Sequence, residues 1–525
     1  MNELTDIQSS PKMSVLLEMR PALDGFAGIP QETRLLFRGL SRMDTLHVEG
    51  LLQTSLKFLS AGTSHVREDG IGQSTLPESA RLSCYARVIV SVDAKPPKGR
   101  VAMARLYLKR RRVAWGLALS SVLPGVRKIK TTLFESRYFE DFIWQSFFEK
   151  TLPSSDYALV TSKNYRVCTV PWNMLQTAGL FTLKLGAKLV YPRLDTEGVD
   201  VFITQTPYPA RLDPHTTLVV RYHDALPIFM PHAFANQSRH LATHFQALKS
   251  NVESGAYFAC ISESTRQDLL RVFPEVADRA VTIHNAVSHH YFNEESAADL
   301  VPQIVRSRLN FSAPQAVPAF RSLAEQDTFY SQHLEGESFT YLLMVSTIEP
   351  RKNHRRLIAA WERIHANCDA SLKLVIVGNL GWDVDPIMRE MRTWIDQGGV
   401  FLLNNVPADD LRVLYRHAAA TVCPSLAEGF DFSGVEAMRC GGVVLASDIP
   451  VHREVYQDAA HYFEPHSTDS LVEVMSNALY SSQSADSKQV LKERGDIVSS
   501  AYLPEKIFLQ WADFLDKLRR TEEPS

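Results

Sequence analysis

Short apolar runs alternate with amphipathic stretches along most of the chain. The first run, "SVLLEM" (14–19), has the length of a buried strand; a Gly-containing turn, "RPALDGFAGIP", follows, and then "QETRLLFRGLSRM", whose apolar residues recur at helical spacing. Strand, loop and helix in that order are how an α/β sheet begins. From about residue 198 the rhythm returns in "DVFITQ", "TLVVRYHD", "AYFACIS" and "AVTIHNAV", and further on in "FTYLLMVS", "LKLVIVGN", "VFLLNN", "ATVCPS" and "GVVLASD". Strands that read as continuous apolar runs between helical segments predict parallel sheets covered on both faces. "PEKIFLQWADFLDKL" predicts one more amphipathic helix near the carboxyl end.

Two stretches break the rhythm. Residues 60–100 open with the Ser-, Gly- and Pro-rich "SAGTSHVREDGIGQSTLPES" and read as a flexible loop or insertion. Residues 293–337 are weakly patterned and read as an interdomain connection with some helix in it. A chain of 525 residues exceeds one compact core. The expected organisation is a Rossmann-like domain over 1–292 with an insertion at about 60–130, a linker over 293–337, and a second Rossmann-like domain over 338–525 whose last helix packs back on the first. The fold class is α/β, two doubly wound sheets facing a central cleft, with the chemistry at the carboxyl ends of their strands.

Composition narrows the function classes. A formal charge of −3 gives no global electrostatic reason for a nucleic-acid partner. The six cysteines, Cys84, Cys168, Cys260, Cys368, Cys423 and Cys440, form no metal-ligand spacing and read as thiols of a reducing compartment. The amino terminus lacks the basic, apolar, small-residue order of a signal peptide, and no apolar run is long enough to span a bilayer, so a cytoplasmic location is expected. One segment qualifies that picture. "KRRRVAWGLALSSVLPGVRKIK" (109–130) sets an apolar stretch between cations; it suits either peripheral contact with an anionic membrane at the inner face of the plasma membrane or a core element with basic ends.

The candidate chemistry centres on "PSLAEGFDFSGVEAMRCGG" (424–442). "ATVCPS" predicts a strand and "SGVEAMRCGG" a helix, which places Glu428 on the loop at the strand's carboxyl end and Glu436 in the first turns of the helix. A loop beside a helix amino terminus offers N–H groups to an anion, whereas a carboxylate there suits hydroxyls, contributing about 1.5–3 kcal/mol per charge-assisted bond. Two carboxylates around such a pocket point to a ligand with hydroxyls at both ends, such as a nucleotide sugar. A solvated helix face is the alternative for the two glutamates, an exposed helix start for Arg351 and Lys352 in "EPRKNHRR", and a satisfied core position for His223.

The segment resembles the E-x7-E signature of the retaining glycosyltransferases of family four, and the resemblance runs over most of the chain. It implies the GT-B fold, with the second domain holding a nucleotide sugar and the first the acceptor. By position it implies that Glu428 lies near the transferred sugar and that Glu436 holds the ribose. "VSTIEPRKNHRRLI" resembles the family's phosphate loop, which implies Lys352 and Arg351 as diphosphate contacts; "VVRYHDALP" resembles its His-Asp segment, which implies His223 beside the donor sugar. "DGFAGIPQET" resembles the amino-terminal Gly-rich loop, where Gly28 lets backbone approach the diphosphate or acceptor. Lys352, Arg351 and the amides near Ser433 and Gly434 would stabilise the leaving diphosphate. Asp431, Phe432 and Ser433 depart from the commoner signature, Asp431 adding a third carboxylate at the sugar pocket, and Pro30 stands where a second glycine is frequent.

The resemblance implies transfer of a hexose, with mannose from GDP-mannose as the best guess, to a saccharide or lipid-linked saccharide in surface polysaccharide assembly. No cofactor and no metal are expected; the Asp-x-Asp in "WDVDP" lies in a loop the family leaves variable. A nicotinamide dehydrogenase lacks its GxGxxG here. A nucleotide-sugar epimerase of the same fold and a silent nucleotide-sugar-binding scaffold stay open.

Overall fold

The strand "SVLLEM" runs as β1 (Met13–Glu18) through the middle of the first sheet, flanked in parallel by β2 (Leu46–Leu52) and β7 (Val201–Thr204). The structure is a computed structural model that describes residues 12–522 apart from 24, 26–27, 65, 69–70, 74–75, 96, 124–127, 187, 234–236, 310–317 and 337. The amino-terminal stretch 1–11, three residues of the Gly-rich loop and Pro124 of the basic-apolar segment therefore lie outside the described residues.

Two small strands, β3 (Val66–Glu68) and β4 (Ile71–Gln73), pair with each other. The first sheet continues through β5 (Thr131–Phe134), β6 (Tyr165–Cys168), β8 (Thr217–Tyr222), β9 (Tyr257–Cys260) and β10 (Ala280–Thr282). Its order is β10-β9-β8-β7-β1-β2-β6-β5, parallel except for the edge strand β5. The second sheet comprises β11 (Tyr341–Val345), β12 (Lys373–Val377), β13 (Val400–Leu403), β14 (Ala420–Cys423), β15 (Val444–Ser447) and β16 (Ala460–Phe463). All six are parallel in the order β13-β12-β11-β14-β15-β16.

These orders fix where a ligand can sit. The strand sequence reverses between β1 and β7 in one sheet and between β11 and β14 in the other, and a crevice opens outside the carboxyl ends at such points. The loop after β1 carries Gly28, the loop after β11 carries Arg351 and Lys352, and the loop after β14 carries Glu428. The fold is the doubly wound two-sheet arrangement that the apolar runs predict.

Three parts of the chain hold more structure than their sequence shows. Residues 60–100 are not one flexible loop: after the β3–β4 hairpin, α2 (Glu78–Asp93) buries Tyr85, Val88 and Val92 at helical spacing. The Ser/Gly/Pro signal ends at Pro77, the residue before that helix. Strands β2, β5, β6 and β16 were hidden because polar residues interrupt them. Glu49 and Arg166 sit inside β2 and β6 and neutralise each other at 2.7 Å, both side chains nearly inaccessible, which is how charges survive in the sheet. Within 293–337, the helices Leu300–Arg308 and Leu323–His333 are built into the second sheet's edge. Leu309 bridges to Leu403 of β13, Arg308 pairs with Asp410 at 2.9 Å, and Phe329 meets Phe401 edge-on.

The terminal helix (Pro504–Glu522) returns to the first sheet. Phe508 lies so close to Gly39 of α1 (Ile29–Ser41) that a Cβ there would fall 1.9 Å from the ring. Trp511 packs under the Arg221 guanidinium at 5.4 Å, and Phe514 meets Tyr257 edge-on.

Candidate active site

A cavity of about 770 Å³ separates the two sheets' carboxyl ends. It is lined from the first domain by Gly28, Gln31, His223 and Asp224, and from the second by Arg351, Lys352, Glu428, Asp431, Phe432, Ser433 and Glu436.

The signature segment folds as its pattern predicts. β14 ends at Cys423, residues 424–431 form a loop, and the helix Phe432–Arg439 follows. Asp431 caps that helix at φ 63°, a left-handed conformation in which Asp is tolerated because its short side chain bonds locally. Its Oδ1 accepts from the Ser433 hydroxyl at 2.7 Å and the Ser433 amide at 3.3 Å, and its Oδ2 faces His452 Nε2 at 3.2 Å. Burial opposes the charge, but the hydrogen bond from His452 and the charges of Lys352 and His452 hold the Asp431 carboxyl well below its usual range. The anion at this helix start is therefore Asp431 itself. The Ser433 amide thus finds its partner within the same loop.

Glu428 projects from the loop between two cations. It accepts from Arg351 Nη1 at 2.7 Å and from Lys352 Nζ. Arg351 also bonds Glu349 at 2.7 Å and the Ala427 carbonyl at 2.9 Å. Burial works against the Glu428 charge, yet Arg351 and Lys352 outweigh it and keep the carboxyl below its ordinary range. Asn353, at φ 61°, donates to the carbonyls of Pro424 and Pro465, and Leu426 N–H donates to the Arg351 carbonyl at 3.0 Å, so the loop after β11 and the loop after β14 are tied to each other.

Glu436 lies in the next turn, almost wholly buried. It accepts from Tyr415 OH at 3.1 Å and, across the cleft, from Gln31 Nε2 of α1 at 2.9 Å. Burial is the main cause that pushes its pKa up to about 7; the bonds from Gln31 and Tyr415 work the other way. Gly28 is the residue before α1, at φ 72°, with open space where a Cβ would stand. Pro30, the departure from a second glycine, occupies the first turn of that helix, where a missing N–H costs nothing.

His223 ends the β8 edge of the cleft, its Nε2 2.9 Å from Gln205 Oε1; burial, then the Arg221 charge, holds the imidazole well below its usual pKa and hence neutral. The two domains meet here through a glycine: a Cβ on Gly429 would lie 2.0 Å from the His223 carbonyl oxygen. Asp224 caps the following turn by accepting from Leu226 N–H at 3.0 Å, and burial raises its pKa against the pull of Arg351.

Phe432 packs edge-on to Phe430 and borders the cavity with Ser433. Gly434 does not line it. Its open side faces Tyr456, where a Cβ would fall 2.3 Å from the ring, so its glycine serves helix packing. Gly434→Ala is expected to lower stability by about 1–3 kcal/mol in urea unfolding, with the occupied and empty forms affected alike.

Asp224, Gln31, Gln205, Glu349, Asn353 and Tyr415 escaped the sequence reading. Asp224 could have been found beside His223, and Glu349 and Asn353 beside Arg351 and Lys352; Gln31, Gln205 and Tyr415 become neighbours only through the sheet topology. Among the described residues, no group of three or more His, Cys, Asp or Glu side chains is arranged to hold a metal ion, and no helix is long and apolar enough to cross a membrane.

Two facing doubly wound sheets with a charged cleft at both reversal points define a protein of the GT-B class. In agreement, sucrose-phosphate synthase from Thermosynechococcus elongatus superposes over 97% of this chain and 100% of its own with a TM-score of 0.56, at 15% identity, which speaks to the fold alone. Residues 325–496 match the family described as Glycosyl transferases group 1. The O-antigen chain mannosyltransferase B of Escherichia coli is 27% identical over 250 residues, 48% of this chain and 58% of that protein. The O-antigen chain mannosyltransferase RfbU of Salmonella typhimurium is 38% identical over 133 residues, 25% of this chain and 35% of that protein. The matches thus span between about a third and somewhat over half of these relatives' lengths. Over residues 325–496 the chain is thus similar to the group 1 glycosyl transferases, and the curated proteins it resembles are mannosyltransferases.

Proposed function

We propose that the protein transfers a hexose from a nucleoside diphosphate to a hydroxyl of a saccharide or lipid-linked saccharide, with retention at the anomeric carbon, in surface polysaccharide assembly. Mannose from GDP-mannose is the first donor to test, since the curated relatives the chain matches in part are described as mannosyltransferases. The observation that carries the reading is the Arg351, Lys352 and Glu428 cluster, with Glu436 beside it, facing Gln31 across a cleft at two topological reversal points.

In this reading the diphosphate draws Arg351 and Lys352 away from Glu428. Charge builds on the diphosphate as the glycosidic bond breaks, and fixed cations in a site shielded from water stabilise that charge more in the transition state than before it. Glu428, released, accepts from hydroxyls of the transferred sugar, and Glu436 from the ribose. His223, neutral and buried, borders the sugar without serving as a base at ordinary pH. Transfer then proceeds on one face, the departing phosphate taking the acceptor's proton; Asp431, held by Ser433 and His452, is not free to attack as a nucleophile.

The test is thermal stabilisation by GDP, UDP, ADP and their hexose conjugates. Ligand at a hundred times its dissociation constant adds about 2.7 kcal/mol. A rise in Tm with one base family, abolished in Lys352→Ala, is expected; unchanged melting with every nucleotide would overturn the assignment.

A further inference from the structure

The basic-apolar segment (109–130) begins inside a helix that starts nine residues earlier, and it is this helix that divides at its middle. In α3 (Arg100–Val122), the second half packs along one side: Ala114, Ala118 and Ser121 are buried and Trp115 meets Phe181 of the helix Trp172–Lys184 at 4.6 Å, while Leu119 and Val122 on the other side are exposed. The first half is bare. From Asp93 to Val113 no described residue is buried.

What this bare half presents is unusual for a solvated face. Val101, Met103, Tyr107 and Leu108 are each 58–66% exposed, and Val90 at the facing end of α2 is 69% exposed. Residues 94–122 contain eight cations, Lys95, Lys98, Arg100, Arg105 and Lys109 to Arg112, and no acidic residue, in a chain whose formal charge is −3. Among the described residues none of the eight forms an ion pair: Arg110 donates to the Leu56 carbonyl, Arg111 to Tyr107 OH, and Lys109 lies over the Phe58 ring. Helical spacing interleaves the two kinds of side chain, with Val101, Arg105, Leu108 and Arg112 along one stripe and Met103, Tyr107 and Arg111 along the next.

We propose that the first half of α3, with the adjoining end of α2, is a docking surface for an anionic lipid bilayer. An interfacial helix sinks its aliphatic and aromatic side chains between headgroups while Lys and Arg extend to the phosphates, so one face must supply both. The charge complementarity is with lipid phosphate. A nucleic-acid face would use the cations but has no use for exposed Val101, Met103 and Leu108. The surface lies on the first domain and its docking is independent of the donor reading.

The experiment is co-sedimentation of the full chain with vesicles of phosphatidylglycerol and phosphatidylcholine, and with phosphatidylcholine alone. Binding to the anionic vesicles that weakens with salt is expected. Arg105→Gln, Arg111→Gln and Arg112→Gln together should weaken it roughly a hundredfold. Tyr107→Ser with Leu108→Ser should also weaken it while leaving Tm unchanged, since neither side chain is buried. Absence of vesicle binding, equal binding by the Ser variant, or loss of a dimer rather than of vesicle binding in that variant would overturn the proposal. Binding of transfer RNA that survives the Ser changes, without vesicle binding, would do the same in favour of a nucleic acid.

Discussion

Glu428→Gln is expected to bind a nucleoside diphosphate more tightly than the native protein and to transfer no sugar. The gain follows from the partners that Glu428 holds. It is bonded to both Arg351 and Lys352, the groups a diphosphate would need, so an entering anion meets a carboxylate already in place. Two like charges about 4 Å apart at an effective dielectric of 20 repel by about 4 kcal/mol. Movement of the carboxylate relieves part of this, leaving a roughly ten- to hundredfold gain in affinity when the charge is removed. The loss follows from the same substitution, because the amide can no longer take a charge-assisted bond from the sugar's hydroxyls as the transition state forms. The empty variant should also be less stable by about 2 kcal/mol, a buried pair having lost one partner, and saturating diphosphate should restore it. Calorimetric titration with GDP and UDP, beside a transfer assay, checks both halves. Weaker binding in the variant would show that Glu428 helps to hold the diphosphate rather than competing with it.

The second large effect is at Glu436, whose carboxyl is pushed up to about 7 by burial, against an ordinary 4.5. Below the ordinary value both folded and unfolded chains are protonated there, and the group contributes nothing to the pH dependence. Between 4.5 and about 7 the folded protein keeps a proton that the unfolded chain releases, so stability falls as pH rises. Above about 7 the full penalty applies, roughly 3 kcal/mol. Glu436→Gln removes that penalty while keeping an acceptor and a donor for Gln31 and Tyr415. The variant should therefore equal the native protein near pH 4.5 and exceed it by up to about 3 kcal/mol near pH 8, read by urea unfolding at the two pH values. Donor affinity should move the other way, falling roughly ten- to hundredfold as a charge-assisted bond to the ribose is lost. A substitution that stabilises the fold and weakens the ligand is the mark of a group kept for binding. The same stability change at both pH values would refute the raised pKa.

Much of this architecture could be read from the chain because parallel strands buried on both faces leave continuous apolar runs. "SVLLEM", "TLVVRYHD", "LKLVIVGN" and "GVVLASD" are strands in the structure within a residue or two of their expected ends. Strands whose charges are neutralised by a neighbour far along the chain could not be read that way: nothing local to Glu49 announces Arg166, 117 positions on. The candidate cleft follows the same division. Glu428, Glu436, Arg351 and Lys352 sit in segments whose local spacing is distinctive. Gln31 reaches Glu436 across 405 positions, and only the reversal of strand order in both sheets puts them face to face. Gly434 illustrates the opposite limit. Its neighbourhood in the sequence suggested a ligand, whereas the need for a glycine comes from Tyr456, 22 residues later.

The return of the terminal helix to the first domain means that the chain passes between the two halves twice, once near residue 292 and again near residue 503. A body suspended on a single tether can swing in any direction. With two, the halves are joined along a line, and the loops carrying Gly28 and Glu428 face each other beside it across the cavity. Phe508 lodged against Gly39 and Trp511 beneath Arg221 fasten one end of that line to the first domain.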